Sequence, residues 1–262
     1  MHEILSRLRP GDLVLDLGSR SGSFAPSATE ATVVRLDLDS TRGGVFVQGD
    51  GRRLPFRDGC FAAVIANHSL EHVEGLGECL EEIGRVMRAT GALYVAVPDA
   101  STLSDRVYRW LSHGGGHVNA IQDAGEFAGE LERKSRLKLV ATRVLHTSFA
   151  FANVNGATKW SRRIYLIGGG QEWSLRAASY WFRQVDASFG TRWSVYGWAF
   201  YLGELGVVDE VASGNVCIRC GAAHVSEWLK ALGLVCSGWI WRRYRCPECG
   251  AENAFTEDAI RT

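Results

Sequence analysis

Asp16-Leu17-Gly18-Ser19-Arg20-Ser21-Gly22 sets an acid in front of a glycine-bracketed turn, directly behind the apolar run Leu13-Val14-Leu15. An ionised carboxylate only accepts hydrogen bonds, so Asp16 suits an ammonium group or the N–H groups of its own loop. Gly18 and Gly22 lack a Cβ and let the backbone press onto a ligand. Two further apolar runs also finish in acids. Thr32-Val33-Val34-Arg35-Leu36 ends in Asp37 and Asp39, and Val45-Phe46-Val47 ends in Gln48-Gly49-Asp50. An acid at the tip of the strand that follows a glycine turn is placed to clamp the two hydroxyls of a ribose. The pattern G-x-G-x-x-G is absent, since Gly18 and Gly22 are four apart and no third glycine opens the next helix. A nicotinamide oxidoreductase is thereby disfavoured.

Imidazoles and thiols supply the other reactive groups. The run Phe61 to Ala66 delivers Asn67 and His68 to the same strand edge as the acids, and His113 and His117 flank a glycine-rich loop. A neutral imidazole can take a proton near pH 7, so His117, His68 and His113 are candidate bases, each set against a purely structural role. Near the C-terminus, Cys217-Ile218-Arg219-Cys220-Gly221 and Cys246-Pro247-Glu248-Cys249-Gly250 form two C-x-x-C-G knuckles, 25 residues apart. The two-residue gap turns both sulfurs of a knuckle toward one ion, and four sulfurs leave no open coordination position. The spacing resembles a zinc ribbon and predicts a structural zinc on Cys217, Cys220, Cys246 and Cys249, with a redox dithiol as the other reading. Cys236 reads as a buried or free thiol, and His224 as a substitute ligand that the pairs make unnecessary.

The elements that must position these groups follow from periodicity. Ile4, Leu5 and Leu8 before Pro10-Gly11 predict a short helix closing over a sheet. Leu76 to Ala89 places Leu80, Ile83, Val86 and Met87 on one helical face, with Gly91 as the stop, and Ala92 to Val97 then forms a fifth strand. Ser104 to Leu111 reads as a helix. Asp123 with Glu126 caps another that runs through Leu131. Leu137 to Phe151 reads as a strand whose antiparallel partner is Trp193 to Leu202. Between them, about residues 152–192 form a helical insertion, with Ser174 as cap and Leu175, Ala178, Phe182, Val185 and Phe189 as its apolar stripe. Eight of nine tryptophans occur from Trp160 onward. They predict either an aromatic lid over a ring or lipid-like acceptor, or plain packing among insertion, sheet and tail.

The segments 16–22, Asp37, 49–61 and Asn67-His68-Ser69-Leu70-Glu71-His72-Val73 resemble class I S-adenosylmethionine-dependent methyltransferases, most closely the branch acting on small molecules, lipids and sugars. The resemblance covers roughly residues 10–100. It implies an α/β, Rossmann-like sheet of seven mostly parallel strands whose antiparallel last strand inserts beside the sixth. It also implies cofactor contacts. Asp16, Gly18 and Gly22 hold the methionine end, Asp37 the ribose and Asp50 the adenine amino group, with Ser19, Leu38 and Gly51 beside them; Asn67 and His68 form the floor under the sulfonium. Arg20 and Ala62-Ala63 depart from the family pattern and take no role from it.

The chain has 262 residues, 46% hydrophobic and 22% charged, which fits one large domain with a small appendage: 1–212 for the methyltransferase-like part and 213–262 for the cysteine module. Formal charge is zero, so no global field draws the protein to nucleic acid or anionic lipid. Nucleic acid therefore stands behind a small-molecule, glycan or lipid acceptor as partner, although Trp239-Ile240-Trp241-Arg242-Arg243 mixes bases with aromatics. No apolar run approaches a membrane span, thiols without an evident disulfide framework fit a reducing compartment, and a cytoplasmic protein that could pair as a homodimer is expected. Competing readings are a methyltransferase for RNA or protein that docks its substrate on the ribbon, and a binding protein that has lost catalysis.

Overall fold

A computed structural model describes residues 1–19, 22–24, 26–39, 44–111, 116–147, 153, 171–204, 215–219, 222–247 and 249–257. Largely apolar runs form the strands β1 (Leu13–Leu17), β2 (Thr32–Asp37), β3 (Val45–Gln48), β4 (Phe61–Asn67), β5 (Met87–Pro98), β6 (Leu139–His146) and β7 (Val195–Gly203), most deeply buried in β1, β4, β5 and β7. They make one seven-stranded sheet in the order β3-β2-β1-β4-β5-β7-β6. Strands β1 to β5 are parallel, and the chain reverses its winding direction between β1 and β4. That switch point is where open α/β sheets hold ligands. The last strand is antiparallel: Glu204 N–H donates to Gly91 O, Asp99 N–H to Tyr196 O and Gly203 N–H to Lys138 O. The seven-stranded, Rossmann-like fold expected from the sequence is present.

The helices are α1 (His2–Leu5), α2 (Leu76–Val86), α3 (Leu103–Leu111), α4 (Ala124–Ser135), α5 (Glu172–Phe189) and α6 (Ser226–Ala231). Helix α1 buries Ile4 and Leu5, and α2 buries Cys79, Leu80, Ile83 and Val86. Arg85 on α2 donates to Phe56 O and Leu54 O and pairs with Asp58 and Glu82, bracing the loop between β3 and β4. Asp123 caps α4 as expected, its Oδ1 accepting from Glu126 N–H at 2.7 Å.

Three expectations are corrected. Helix α2 stops at Val86 rather than Ala89, because Met87 already pairs with Phe61; the ladder then slips, so that Ala63 pairs with Ala92. Gly91 thus lies inside β5 rather than ending a helix, and Arg88 reaches Asp12 at 2.7 Å. Ser174 sits within α5, donating back to Gln171 O, while Gln171 occupies the cap position. The buried face of α5 is also partly polar, with Leu175, Ser179, Arg183 and Asp186, whereas Phe189 is 78% exposed.

Two compact units divide the described chain: Met1–Pro98, His117–Arg143 and Trp198–Glu210 in one, and Asp99–Gly116, Val144–Gly197 and Val211–Thr262 in the other. Among the described residues no helix is long and apolar enough to cross a membrane.

Candidate functional site

The carboxyl ends of β1 to β3 carry the acids picked out by sequence, all within the first unit. Asp16 is fully buried; its Oδ2 accepts from Ser23 N–H at 2.9 Å, and its Oδ1 has no hydrogen-bond partner among the described residues. Burial pushes this carboxyl up from its ordinary value, against the pull of Ser23 and the Arg35 guanidinium. The hydroxyls of Ser19 and Ser69 are also buried without a hydrogen bond of ordinary geometry among the described residues, although Ser19 lies close enough to favour the charged form of Asp16. Gly18 adopts φ +66° and donates to Leu36 O at 2.7 Å; a Cβ there would fall 2.5 Å from Ser69 Cβ. Gly22, at φ +113°, faces the Arg35 guanidinium, where a Cβ would fall 2.5 Å from Nη2. Packing and backbone conformation both demand a glycine at 18, and the positive φ demands one at 22.

Asp37 ends β2. Its Oδ1 accepts from Asp39 N–H at 3.2 Å and its carbonyl from Gly49 N–H, which ties the tips of β2 and β3 together. Leu38 is 67% exposed, with its carbonyl held by Gln48 Nε2 at 2.8 Å, so the tip presents apolar surface next to the acid. Asp50 is forked by Arg52 at 2.6 and 2.9 Å, and that hydrogen bonding holds its carboxyl below the usual range. Gly51 lies against Cys79, whose thiol burial pushes up to about 12 and so keeps unreactive.

Asn67 ends β4, and His68 follows at φ +55°, a left-handed conformation uncommon for a residue with a side chain, its N–H donating to Ala96 O. About a third of the His68 side chain remains accessible, yet the surrounding protein lowers its pKa to about 4, with His117 and His72 adding to the effect. The ring is thus neutral at pH 7. Next comes a 3-10 turn, Leu70–His72, with Glu71 buried. Glu71 O accepts from the N–H groups of Val118 and Asn119, and Asn119 Nδ2 donates to Leu70 O and Val73 O at 2.8 and 2.7 Å. These four bonds fix residues 118–119 on the turn and set the His117 ring edge-on to His72, centroids 4.8 Å apart. Asn67, His68 and His117 are brought together; His113, Arg20 and Ser21 lie outside the described residues.

Sequence reasoning missed Ser69, Glu71, His72 and Asn119 as parts of this site. Glu71 and His72 were in view in the run from Asn67 to Val73, but their meeting with a residue 45 positions on depends on how the later loop folds back.

In the second unit the knuckle sulfurs converge. Cys217, Cys246 and Cys249 place their Sγ atoms within 4.8 Å of one another, with Cys217 and Cys249 at 3.5 Å. Cys217 Sγ also meets Arg219 N–H at 3.4 Å and Asn253 Nδ2 at 3.6 Å, and His224 Nε2 lies 3.4 Å from Cys246 Sγ. Donors aimed at sulfur favour thiolates. Cys220 lies outside the described residues, and Cys236, in a short strand, is exposed. The surrounding elements are a hairpin, β8 (Asn215–Val216) with β9 (Ala223–His224), and an antiparallel sheet of β10 (Val235–Cys236), β11 (Arg243–Arg245) and β12 (Glu252–Ala254). Their core is Cys217, Leu229, Tyr244, Cys246, Ala251 and Phe255. Helix α5 is fastened to this module through Glu172–Arg219 and Arg176–Glu252.

With the acids and bare backbone collected at a switch point, known proteins supply the comparison. Residues 15–95 match a family model described as a methyltransferase domain. The fold is that of class I methyltransferases. A demethylmenaquinone methyltransferase of Beutenbergia cavernae is 36% identical over 99 residues, covering 34% of this chain and 41% of that protein. One of Mycobacterium marinum is 35% identical over 99 residues, covering 34% and 42%. The chain thus spans under half the length of these curated relatives. Among solved structures, an S-adenosylmethionine-dependent methyltransferase from Archaeoglobus fulgidus superposes with a TM-score of 0.53 at 13% identity, covering 76% of this chain and 87% of that one. A geranyl diphosphate methyltransferase in complex with S-adenosylmethionine gives 0.51 at 17% identity, covering 78% and 82%.

Proposed function

We propose that the chain is an S-adenosylmethionine-dependent methyltransferase acting on a small-molecule acceptor, of the lipid-linked or isoprenoid-quinol class, or on a sugar. The observation that carries this reading is the Asp16 carboxylate: a buried oxygen beside a glycine turn, without a hydrogen-bond donor of ordinary geometry among the described residues, suits a ligand that brings one, and an α-ammonium does so. When bound, the cofactor supplies an electrophilic methyl on a sulfonium that is itself the leaving group. Asp16 with Gly18, Ser19 and Gly22 would hold the methionine end, Asp37 the ribose hydroxyls, and Leu38 one face of the adenine. Gly51 lines the same wall. Asp50 would accept from the adenine amino group in competition with Arg52, whose N–H and side chain already engage both carboxylate oxygens. Asn67 and His68 form the floor, and His68 and His117 are the imidazoles placed to take a proton from an acceptor hydroxyl. A neutral ring such as His68 accepts a proton, though its low pKa makes it a weak base. Alignment and exclusion of water then account for most of the acceleration, on the order of 7 kcal/mol in well-oriented cases.

Zinc belongs, in this reading, on Cys217, Cys220, Cys246 and Cys249, as a structural ion in a module spanning 213–262 beside the methyltransferase part, 1–212. The test of fit is the donor chemistry: three converging sulfurs, with Arg219 N–H and Asn253 Nδ2 aimed at Cys217. The protein is placed in the cytoplasm. A methyltransferase for RNA or protein is the second reading, favoured by Trp239, 99% exposed, next to Trp241 and Arg242. Labelled cofactor incubated with the full chain and separate isoprenoid quinols, sugars, total RNA and protein decides between them. Label in the quinol or sugar fraction supports the proposal. Label confined to RNA or protein overturns it in favour of the second.

A further inference from the structure

We infer that Glu71, His72 and His117 form a binding site for a divalent transition-metal ion of the zinc class, separate from the cysteine site. The Glu71 carboxylate and one ring nitrogen from each histidine lie within 4.8 Å of one another. Two imidazoles and one carboxylate are the donor set that first-row divalent ions take with coordination positions left open. Donors about 2.1 Å from a shared tetrahedral ion stand about 3.4 Å apart, so the three atoms have at most about 1.4 Å to close. His72 is exposed and His117 half-buried, which leaves these rings room to turn.

The arrangement is built by the backbone. Glu71 and His72 are adjacent on the 3-10 turn, and the four hydrogen bonds from Val118 and Asn119 to that turn carry His117 to them across 45 residues of sequence. Glu71 is only about 2% exposed at its side chain, and a carboxylate held out of water is stabilised by a neighbouring cation. On its other side His68 Nδ1 stands 3.9 Å from Glu71 Oε1, beyond hydrogen-bond reach. The site stands on this geometry alone and needs no assumption about methyl transfer; with the ion bound, His117 is no longer available as a base and His68 alone keeps that role. Its open positions would take an oxygen donor such as water or a hydroxyl.

Cobalt(II) reads the two sites separately. Co²⁺ is added to the full chain carrying its cysteine-bound metal, and metal content after desalting is compared among wild type, His72→Ala, His117→Ala and Cys246→Ser. The expected result is one more equivalent in wild type than in either histidine variant, with d–d bands in the visible and no thiolate charge-transfer absorption; Cys246→Ser keeps that equivalent. Equal metal content in wild type and both histidine variants overturns the site. So does loss of all the cobalt signal in Cys246→Ser. Thermal unfolding checks that the variants fold, and if His117→Ala does not, the exposed His72 gives the same readout.

Discussion

Gly18 packs so tightly on Ser69 that a Cβ on the glycine would fall 2.5 Å from Ser69 Cβ, which joins the turn after β1 to the turn after β4. Gly18→Ala meets this clash and a φ of +66° together. The backbone strain alone costs about 1–3 kcal/mol. Urea unfolding is expected to show at least that loss, and calorimetry a weakened cofactor affinity; an unchanged midpoint would mean the loop relaxes freely.

Asp16 has a carboxyl whose pKa the fold raises. Such a group adds stability below its unfolded value and loses it as pH rises through the folded one, so above that the ionised side chain is a destabilising element. Asp16→Asn is therefore expected to melt at or above the wild-type temperature near pH 7 without ligand, and to bind S-adenosylmethionine far more weakly. A lower melting temperature with full binding would contradict both halves.

His146 is 5% exposed, next to Ser194 Oγ at 3.2 Å, and burial with the Arg183 guanidinium nearby lowers its pKa to about 4. Between about 6.5 and 4 the unfolded chain binds the extra proton. Stability is then full above pH 6.5 and falls as pH drops, by on the order of 3 kcal/mol across the window. Denaturation curves from pH 7 to 4 should show this slope in wild type and a shallower one in His146→Gln. Equal slopes would remove His146 as the cause.

Cys246→Ser should release zinc and loosen the module core around Tyr244 and Phe255. Thiolate zinc supplies on the order of 10 kcal/mol to folding of small modules. Metal analysis and hydrogen exchange over residues 215–257 check this; full zinc retention, or unchanged exchange after its loss, would contradict the assignment.

The tips of β1 to β3 are legible because their apolar runs end at an acid or a glycine, and Asp123 because its cap partner is three residues away. What escaped notice depended on contacts across the chain. Helical periodicity ran smoothly through Val86 to Ala89, but Phe61 captures Met87 and starts β5 early. In α5 the apolar stripe suggested one buried face, whereas Asp186 turns inward to accept from the N–H groups of Trp193 and Ser194, and Arg183 to reach Thr256. Buried polar residues satisfied by distant partners leave no periodic trace. The cysteine spacing was plain, though Cys220 falls outside the described residues.

The most direct test is calorimetric titration of the full chain with S-adenosylhomocysteine, alongside Asp37→Ala. A single site in the wild type, weakened at least tenfold in Asp37→Ala while the melting temperature holds, is the predicted result, since lost hydrogen bonds to a charged group amount to about 1.5–3 kcal/mol. No binding by the wild type, or equal affinity in the variant, would contradict the placement of an adenosyl group at these strand ends.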